Sequence, residues 1–299
     1  MFEGDIRELD PQVGEPVGYR LLLSSGAIEL ADWFNKKVHV TFTGVRRCIV
    51  CGRKANKLFQ NGYCFPCVRS LAECDLCIVK PHECHFHLGT CRDESFAQGH
   101  CMVPHYVYLA WSSGCKVGLT RKGRQLKRWM DQGATLALPI AEVPSRKLAG
   151  ELEMEIAKHL PDKTDWRKML KEEQKPERSL TEVRQEVIAR LAPEFLPYVL
   201  PEVTTYTFRY PRADGFTVNL KSVQLDKQPV WEGTLRGLKG STCCLTRACG
   251  TSRNLLAMKS RLHVRRHLRR EQGPKNHFMN LSRVDTLSHA RGISHDMGV

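Results

Sequence analysis

Residues 105–134 read HYVYLAWSSGCKVGLTRKGRQLKRWMDQGA, and this stretch decides what kind of domain the chain contains. Alternating apolar residues predict a strand at its start and a second strand at KVGLT, with a glycine-containing turn between them. The chain is then expected to turn on Gly118 and to enter a basic helix that carries Arg128 and Trp129. This junction is either a site that handles phosphate or an ordinary strand–helix junction that happens to be basic.

The charge of the chain favours an anionic partner, with nucleic acid as the first choice. The formal net charge is +14, but it is unevenly distributed. Residues 241–299 hold 11 of the 46 basic and 3 of the 32 acidic side chains, so this tail carries +8 and the remainder +6. The body of the protein is therefore only mildly basic.

Cysteine usage and the apolar pattern set the expected compartment. No run of about 18 apolar residues is present, which excludes a membrane-spanning helix. The first 20 residues lack a basic segment followed by an apolar block, so we expect a protein of the reducing cytoplasm. In that compartment the 13 cysteines, ten of which lie between Cys48 and Cys115, indicate metal binding rather than disulfides.

Two cysteine groups are candidate zinc sites. CIVCGRKANKLFQNGYCFPC contains two CxxC pairs separated by 12 residues, and Gly62 supplies a turn that returns the second pair to the first. This spacing is typical of a closed tetrahedral Zn²⁺ site of structural character. Its ligands are Cys48, Cys51, Cys64 and Cys67.

The second group, CDLCIVKPHECHFHLGTC, leaves its ligands open. An all-cysteine set is favoured because thiolates dominate structural sites, and three histidines compete with it. Cys101 and His105 form a further pair that either supplements one of these sites or packs in the core. The favoured ligands are Cys74, Cys77, Cys84 and Cys91, and the competing histidines are His82, His85 and His87.

Strand-like segments flank the middle of the chain on both sides. Residues 17–45 predict a strand, a glycine turn, a short helical or irregular piece and the strand KKVHVTFTG. Residues 203–240 contain the further strand-like segments VTTYTFRYP, FTVNLKSVQL and WEGTLRGLKG. We expect the two stretches to form one small β-barrel that everything between them interrupts. Ahead of the second stretch, Ser179 and Glu182 have capping-box spacing for a helix, and three prolines follow it as a linker.

The opening stretch resembles the start of a GIY-YIG domain. In that domain a tyrosine-bearing strand, a turn and a second strand ending in glycine lead to a helix that presents an arginine. Here YVY stands for the first motif and KVG, residues 116–118, for the second, while Arg128 and Glu153 stand for the arginine and for the glutamate of the following helix. The resemblance implies metal-dependent phosphodiester cleavage by Tyr108, Arg128 and Glu153, with Mg²⁺ or Mn²⁺ held by the carboxylate.

This sequence departs from the GIY-YIG pattern at two places. Lys116 occupies the position of the second motif's tyrosine, and lysine is a poor substitute for a phenol that activates water. The late asparagine of the family has no clear counterpart, and Asp162 or Asp165 is the nearest polar residue. These departures favour binding over cleavage.

Most of the chain up to residue 240 also resembles an uncharacterised bacterial family. The match runs through CGRKANKLFQNGYCFPC, CDLCIVKPHECHFHLGTCR, HYVYLAWSSGCKVGLTR, RWMDQGA and DKTDWRKML. It implies a zinc-binding insert followed by a GIY-YIG-like domain, with no established activity.

The expected fold class is α+β, with a small β-barrel-like domain of N- and C-terminal strands interrupted by a zinc-ribbon-like insert and a GIY-YIG-like α/β domain. The expected segments are N-terminal strands (1–45), the zinc-binding insert (46–101), the GIY-YIG-like domain (102–175), a helix and Pro-rich linker (176–202), C-terminal strands (203–240) and a tail (241–299).

The tail, residues 241–299, shows no sustained period of 2 or 3.6. It is either a disordered basic arm or the product of a frameshift. With codons chosen freely, reading residues 241–264 one base earlier permits a product that alternates like two strands around an Asp-Thr-Gly turn. The family resemblance implies a hairpin of this kind after GLKG.

These observations predict a cytoplasmic protein with two structural zinc ions that binds DNA or RNA. A metal-dependent endonuclease and a non-catalytic protein-interaction scaffold are the alternatives. On simpler interpretations Tyr106 or Tyr108 packs in the core, the basic run is a solvated helix face, Trp129 is a core anchor, and Asp162 or Thr164 caps the next helix. The residues expected to contact nucleic acid are Lys116, Arg121, Arg124 and Arg128.

Overall fold

The computed structural model describes residues 2–60, 62–160, 165–171, 176, 178–221, 227–246, 248–251 and 260–266. These residues form a mixed α/β structure with two antiparallel sheets. The strands are β1 (Phe2–Gln12), β2 (Gly18–Leu23), β3 (Gly26–Glu29), β4 (Lys37–Arg46), β5 (His105–Trp111), β6 (Cys115–Arg121), β7 (Leu136–Val143), β8 (Tyr206–Thr207), β9 (Val230–Lys239), β10 (Thr242–Leu245), β11 (Ala248–Thr251) and β12 (Ser260–Arg266). The α-helices are α1 (Phe65–Ser70), α2 (Glu94–His100), α3 (Gln125–Asp131), α4 (Arg146–Ala157), α5 (Trp166–Lys171) and α6 (Leu180–Ala189).

The first sheet joins strands from the two ends of the described chain. Its order is β11-β10-β9-β4-β12-β1-β2-β3, so β4 pairs with β9, and β12 lies between β1 and β4. The expected union of N- and C-terminal strands is confirmed, but the expected barrel is wrong. A barrel closes only when its edge strands hydrogen-bond to each other. Among the strands described here, β3 pairs with β2 and β11 with β10, and the sheet stays open.

The second sheet has the order β6-β5-β7-β8 and places β5 in the interior. One face of β5 carries Val107 and Leu109, which pack with Leu152 of α4 in an apolar cluster. The other face carries Tyr108, which packs in a second cluster with Trp129 of α3. Because both faces are covered, β5 consists almost entirely of buried residues.

Gly118 lies inside β6, directly opposite Tyr108, and the expected turn at this residue is wrong. The chain instead turns at Gly123, whose φ of +83° lies in the left-handed region. A Cβ on Gly118 would lie 2.6 Å from the hydroxyl oxygen of Tyr108. Glycine is therefore required here because the tyrosine ring lies across the backbone, not because the chain bends.

The two long helices on the apolar face of the second sheet follow their sequence signals. In α4, Leu152 and Ile156 are buried, and the Ser145 side chain accepts a hydrogen bond from Leu148 N at its N-cap. Helix α6 begins with the expected capping box, in which Ser179 and Glu182 each bond the other's backbone N–H. Both helices thus bury an apolar stripe with 3.6-residue periodicity.

The cysteine-rich segment between β4 and β5 consists of α1, α2 and short 3-10 turns. It docks on α4 through backbone contacts. A Cβ on Gly150, in the middle of α4, would lie 2.6 Å from Pro81 Cβ and 2.7 Å from His82 N. At the start of α4, Arg146 donates from Nη2 to Ile78 O at 2.7 Å and from its backbone N to Cys101 O at 2.8 Å.

Strand predictions after residue 200 were partly wrong. WEGTLRGLKG forms β9, but VTTYTFRYP contributes only the two-residue β8, and it does so to the other sheet. The apolar pattern of this segment arises because Phe208 and Tyr210 fill the core cluster that contains Trp129, and not because the residues alternate along a strand. Residues 216–221 contain no strand, and residues 222–225 lie outside the described part. In the tail the structure describes β10, β11 and β12, while the frameshift remains a hypothesis about the gene.

Among the described residues, no helix combines the length and the apolar character that crossing a bilayer requires.

Candidate functional site

Four cysteine thiols of the insert come together as one candidate metal centre. Each Sγ atom lies within 4.8 Å of the other three, and Cys51 Sγ is 3.6 Å from Cys64 Sγ. A set of four thiolates at this spacing could hold a structural Zn²⁺. These are the residues that the paired CxxC spacing predicts, namely Cys48, Cys51, Cys64 and Cys67.

The local backbone explains this convergence. Gly52 and Gly62 have φ values of +69° and +132°. They permit one turn directly after Cys51 and another just before Cys64. Cys64 is the N-cap of α1 and Cys67 its third residue, so one helical turn aims both thiols the same way. Burial raises the pKa of Cys48, but hydrogen bonds from backbone N–H groups, with that of Cys64 the largest, lower this pKa to about 6. Such donors stabilise a thiolate, which is the form that binds a metal.

A second group of ligand atoms comprises Asp75, Cys77 and His85, again within 4.8 Å of one another. Of the four thiols predicted for a second zinc site, only Cys77 belongs to this group among the described residues. Cys74 and Cys84 are buried and Cys91 is half-buried. The all-cysteine ligand set stays a prediction. His105 is fully buried, and its Nδ1 donates to Val103 O at 2.7 Å, so it packs in the core, while Cys101 is also buried.

The ββα unit around Tyr108 brings together the three residues predicted for catalysis. The buried Tyr108 hydroxyl donates to Gln132 Oε1 at 2.9 Å. Burial raises its pKa, the charge of Arg128 and a hydrogen bond from that guanidinium lower it, and the charge of Glu153 raises it. Arg128 and Glu153 thus both act on the same hydroxyl. Because burial has the largest effect, this phenol stays protonated at neutral pH and is suited to positioning Arg128.

Glu153 lies on the side of α4 that also carries Ala149 and Ala157. It is half-buried on α4, one turn from the buried Ala149 and from Ala157, which packs against the same cluster. Glu151 and Glu155 instead form ion pairs on the helix surface with Lys147 and Lys158. Trp129 is a core anchor, as expected, with its ring centroid 5.7 Å from that of Tyr108 and the planes at 76°. The proposed cap residues Asp162 and Thr164 lie outside the described part, and Asp165 Oδ1 accepts from Arg167 N at 2.9 Å.

The basic run divides into paired and outward-facing side chains. Lys122 is ion-paired with Glu142 at 2.8 Å, and Lys127 with Glu8 at 2.6 Å. Lys116 is 3% exposed and therefore turned away from solvent. Arg121 Nη1 donates to Gly99 O at 3.1 Å, which ties β6 to α2. Arg124 and Arg128 are the exposed arginines of the run, and the guanidinium of Arg128 also bonds the Tyr108 hydroxyl.

Arg146 is a site residue that the sequence reasoning missed. Burial lowers its pKa, and the charge of Arg128 lowers it further while that of Glu153 raises it. The pKa of His100 in α2 is lowered to about 4. Burial is the largest cause, followed by the charges of Arg146, Arg121 and Arg124. No motif marks Arg146, whose only sequence signal is its place next to the N-cap Ser145. Four guanidinium groups therefore surround the junction of α2, β6, α3 and α4.

A comparison with known protein families matches most of the chain. The sequence profile of DUF2797, a family described as a protein of unknown function, matches residues 35–259. The chain belongs to the DUF2797 family. No curated protein and no solved structure matches this DUF2797 chain. The matched residues include both metal-ligand groups and the junction around Tyr108.

Proposed function

We propose that this protein binds nucleic acid at the junction of α2, β6, α3 and α4, with a structural Zn²⁺ in the four-cysteine centre. The order of elements supports a GIY-YIG-like reading of this unit. A tyrosine-bearing strand, a glycine-bearing strand and an arginine-bearing helix are followed by a strand and a helix that carries Glu153. The same order is implied by the resemblance of YVY and KVG to the two GIY-YIG motifs.

The accumulation of guanidinium groups is the observation that carries the proposal. Arg121, Arg124 and Arg146 act on His100, and Arg128 acts on Arg146. The positive charges of these arginines repel each other unless an anion lies between them. Phosphate is such an anion, and it accepts bidentate hydrogen bonds from arginine. Arg124 and Arg128 are exposed, so a polymer has access to them, while Lys116 is buried.

The zinc centre has an architectural role in this proposal. Four thiolates fill a tetrahedral shell and leave no position for a substrate. The centre orders the insert, and the insert supplies α2, whose Gly99 O accepts from Arg121. Zinc thereby fixes one wall of the basic junction.

A divalent-metal-dependent endonuclease is the second candidate. It is favoured because Arg128 and Glu153 both act on the hydroxyl of Tyr108. Arg128 would neutralise the phosphate, and Glu153 would hold Mg²⁺ or Mn²⁺, which would stabilise the leaving oxygen. In such a reaction a water oxygen bonds to phosphorus, the bond from phosphorus to the leaving sugar oxygen breaks, and that oxygen takes a proton. Tyr108, protonated and bonded to both Arg128 and Gln132, would orient the guanidinium.

Fluorescence anisotropy with labelled DNA and RNA of one sequence tests binding by the full chain. We expect the logarithm of affinity to fall linearly with the logarithm of salt concentration, with a slope of about −3 to −4 if four side chains meet phosphates. Arg124→Ala and Arg128→Ala should each weaken binding and make the slope shallower by about one. Arg178→Ala is the matched control, because Arg178 lies just before α6 and pairs with Glu186 of that helix. Absence of binding, or binding indifferent to salt, would favour the protein-interaction scaffold.

The same oligonucleotides test cleavage. With Mg²⁺ or Mn²⁺ present, the endonuclease candidate predicts products that disappear with chelator and with Glu153→Gln, while binding persists. If the wild type binds and no products form under any of these conditions, the protein is a binding module.

A further inference from the structure

We propose that Asp75, Cys77 and His85 are ligands of a second Zn²⁺ ion, in a mixed oxygen, sulfur and nitrogen site. Their ligand atoms lie within 4.8 Å of one another, and His85 Nε2 is 3.6 Å from Asp75 Oδ2. Atoms that each lie about 2.0–2.3 Å from one tetrahedral ion are separated by distances of this size. All three residue types are ordinary zinc ligands.

The hydrogen bonds around His85 suit the tautomer that a metal requires. Thr90 Oγ1 lies 2.7 Å from His85 Nδ1 and also donates to His85 O at 3.3 Å. When the hydroxyl donates its one proton to that carbonyl, it accepts a hydrogen bond from Nδ1–H, and this is the arrangement that we propose for the metal-bound site. Nε2 therefore presents its lone pair, and it does so toward Asp75 and Cys77. A hydrogen bond of this kind behind the ring is the usual support of a zinc-bound histidine.

The carboxylate of Asp75 is also held in place. Its Oδ1 accepts from Leu76 N at 2.6 Å, and Arg92 Nε lies 2.8 Å from Oδ2. Arg92 is itself anchored, because its Nη1 donates to Val68 O at 2.9 Å and to Leu71 O at 3.1 Å. Each carboxylate oxygen has a further lone pair, so these bonds orient Asp75 without exhausting it as a ligand.

This ligand set differs from the all-cysteine set at residues that can be changed separately. His85 belongs only to the mixed set, whereas Cys74 belongs only to the all-cysteine set. Cys74 is 3% exposed, and its carbonyl accepts from Gln60 Nε2 at 3.0 Å.

The ion would brace the surface on which α4 rests. Ile78 and Pro81 lie between Cys77 and His85 in sequence, and these are the residues that contact Arg146 and Gly150 of α4. A metal that clamps Cys77 to His85 closes this loop of the insert. Helix α4 and its Glu153 are therefore supported from outside the sheet.

Elemental analysis of the full chain, purified from a zinc-containing reducing medium, tests the ligand set. We expect two zinc ions per chain in the wild type, one in Cys77→Ser and in His85→Gln, and two in Cys74→Ala. The all-cysteine set predicts the reverse for the last two variants, two ions in His85→Gln and one in Cys74→Ala, and that result would overturn the proposal. A wild type that holds one ion would also overturn it.

A spectroscopic measurement on the unaltered chain covers the case in which a variant fails to fold. Exchanging zinc for ¹¹³Cd and recording its NMR spectrum distinguishes ligand types, because thiolate ligands shift the resonance strongly downfield. We expect one resonance in the four-thiolate range and a second well upfield of it. Two resonances in the four-thiolate range would rule out Asp75 and His85 as ligands.

Discussion

Pro81 of the insert lies against Gly150 of α4 so closely that a methyl group at position 150 would lie 2.6 Å from Pro81 Cβ. Glycine in the interior of a helix ordinarily costs about 1 kcal/mol relative to alanine. The helix has this residue because the insert backbone, including His82 N, occupies the space where a side chain would stand. The contact couples the metal-binding segment to the helix of Glu153.

Gly150→Ala should therefore destabilise the protein in spite of its better helix propensity. We expect the overpacking to cost about 1–3 kcal/mol of the free energy of unfolding, measured by urea denaturation. Gly99→Ala in α2 is the control, since no atom lies within 4 Å of the added Cβ, and it should be neutral or slightly stabilising. Equal stabilisation by both substitutions would contradict the close contact.

Gly118→Ala should disturb the candidate site itself. The added Cβ would lie 2.6 Å from the hydroxyl oxygen of Tyr108 and 2.7 Å from its Cζ, and this ring is fully buried. We expect a loss of about 1–3 kcal/mol in unfolding free energy together with weaker nucleic-acid binding, because Tyr108 orients Arg128. Unchanged stability, measured as above, would show that the ring does not cover Gly118.

Acid should destabilise the protein through His105. Burial, followed by the charge of Arg146, lowers the pKa of His105 to about 4, against about 6.5 in an unfolded chain. The unfolded state therefore gains a proton first as the pH falls, so the contribution of this group is complete above pH 6.5 and is lost between pH 6.5 and pH 4. One proton corresponds to a slope of about 1.4 kcal/mol per pH unit.

His105→Asn removes this titration and keeps a donor for Val103 O. Urea unfolding at several pH values from 7 to 4.5 should give a shallower decline for this variant than for the wild type. His159→Asn, at an exposed position after α4, is the comparison and should leave the slope as it is. Identical slopes for all three proteins would contradict the assigned pKa.

Removing one thiol of the four-cysteine centre should cost the chain an ion and the order of its insert. Cys64→Ser alters a buried thiol at the N-cap of α1, and metal binding in small zinc domains is worth on the order of 10 kcal/mol of folding free energy. We expect one zinc fewer per chain and rapid proteolysis within residues 47–101. Cys115→Ser, a half-buried thiol on β6 outside both groups, should retain the wild-type zinc content and protease resistance. A Cys64→Ser variant with full zinc content would show that the centre is not a metal site.

Local signals in the sequence predicted the parts of the fold that depend on local chemistry. The capping box of Ser179 and Glu182 is set by neighbours within one turn. The paired CxxC spacing likewise fixes which thiols can meet. Trp129 was expected in the core because of its size, and its burial confirms this.

What the sequence could not predict depends on partners that are distant along the chain. Whether the sheet closes depends on which strands lie at its edges. The alternation of apolar residues in β3 does not predict that β3 is an edge strand. Gly118 has the signature of a turn, but its role depends on Tyr108 in the neighbouring strand. Asp75 was missed as a ligand candidate because acidic residues beside cysteines are common, and only the folded turn brings it toward His85.

Strand β12 pairs with β1 on one side and with β4 on the other, and Phe2 lies opposite Val264. During translation at about 5–20 residues per second, the first strand leaves the ribosome roughly ten seconds to a minute before its partner exists. Throughout that interval β1 and β4 expose unpaired edges of the kind that recruit other chains. Synthesis of this protein should therefore depend on chaperones until the last central strand emerges.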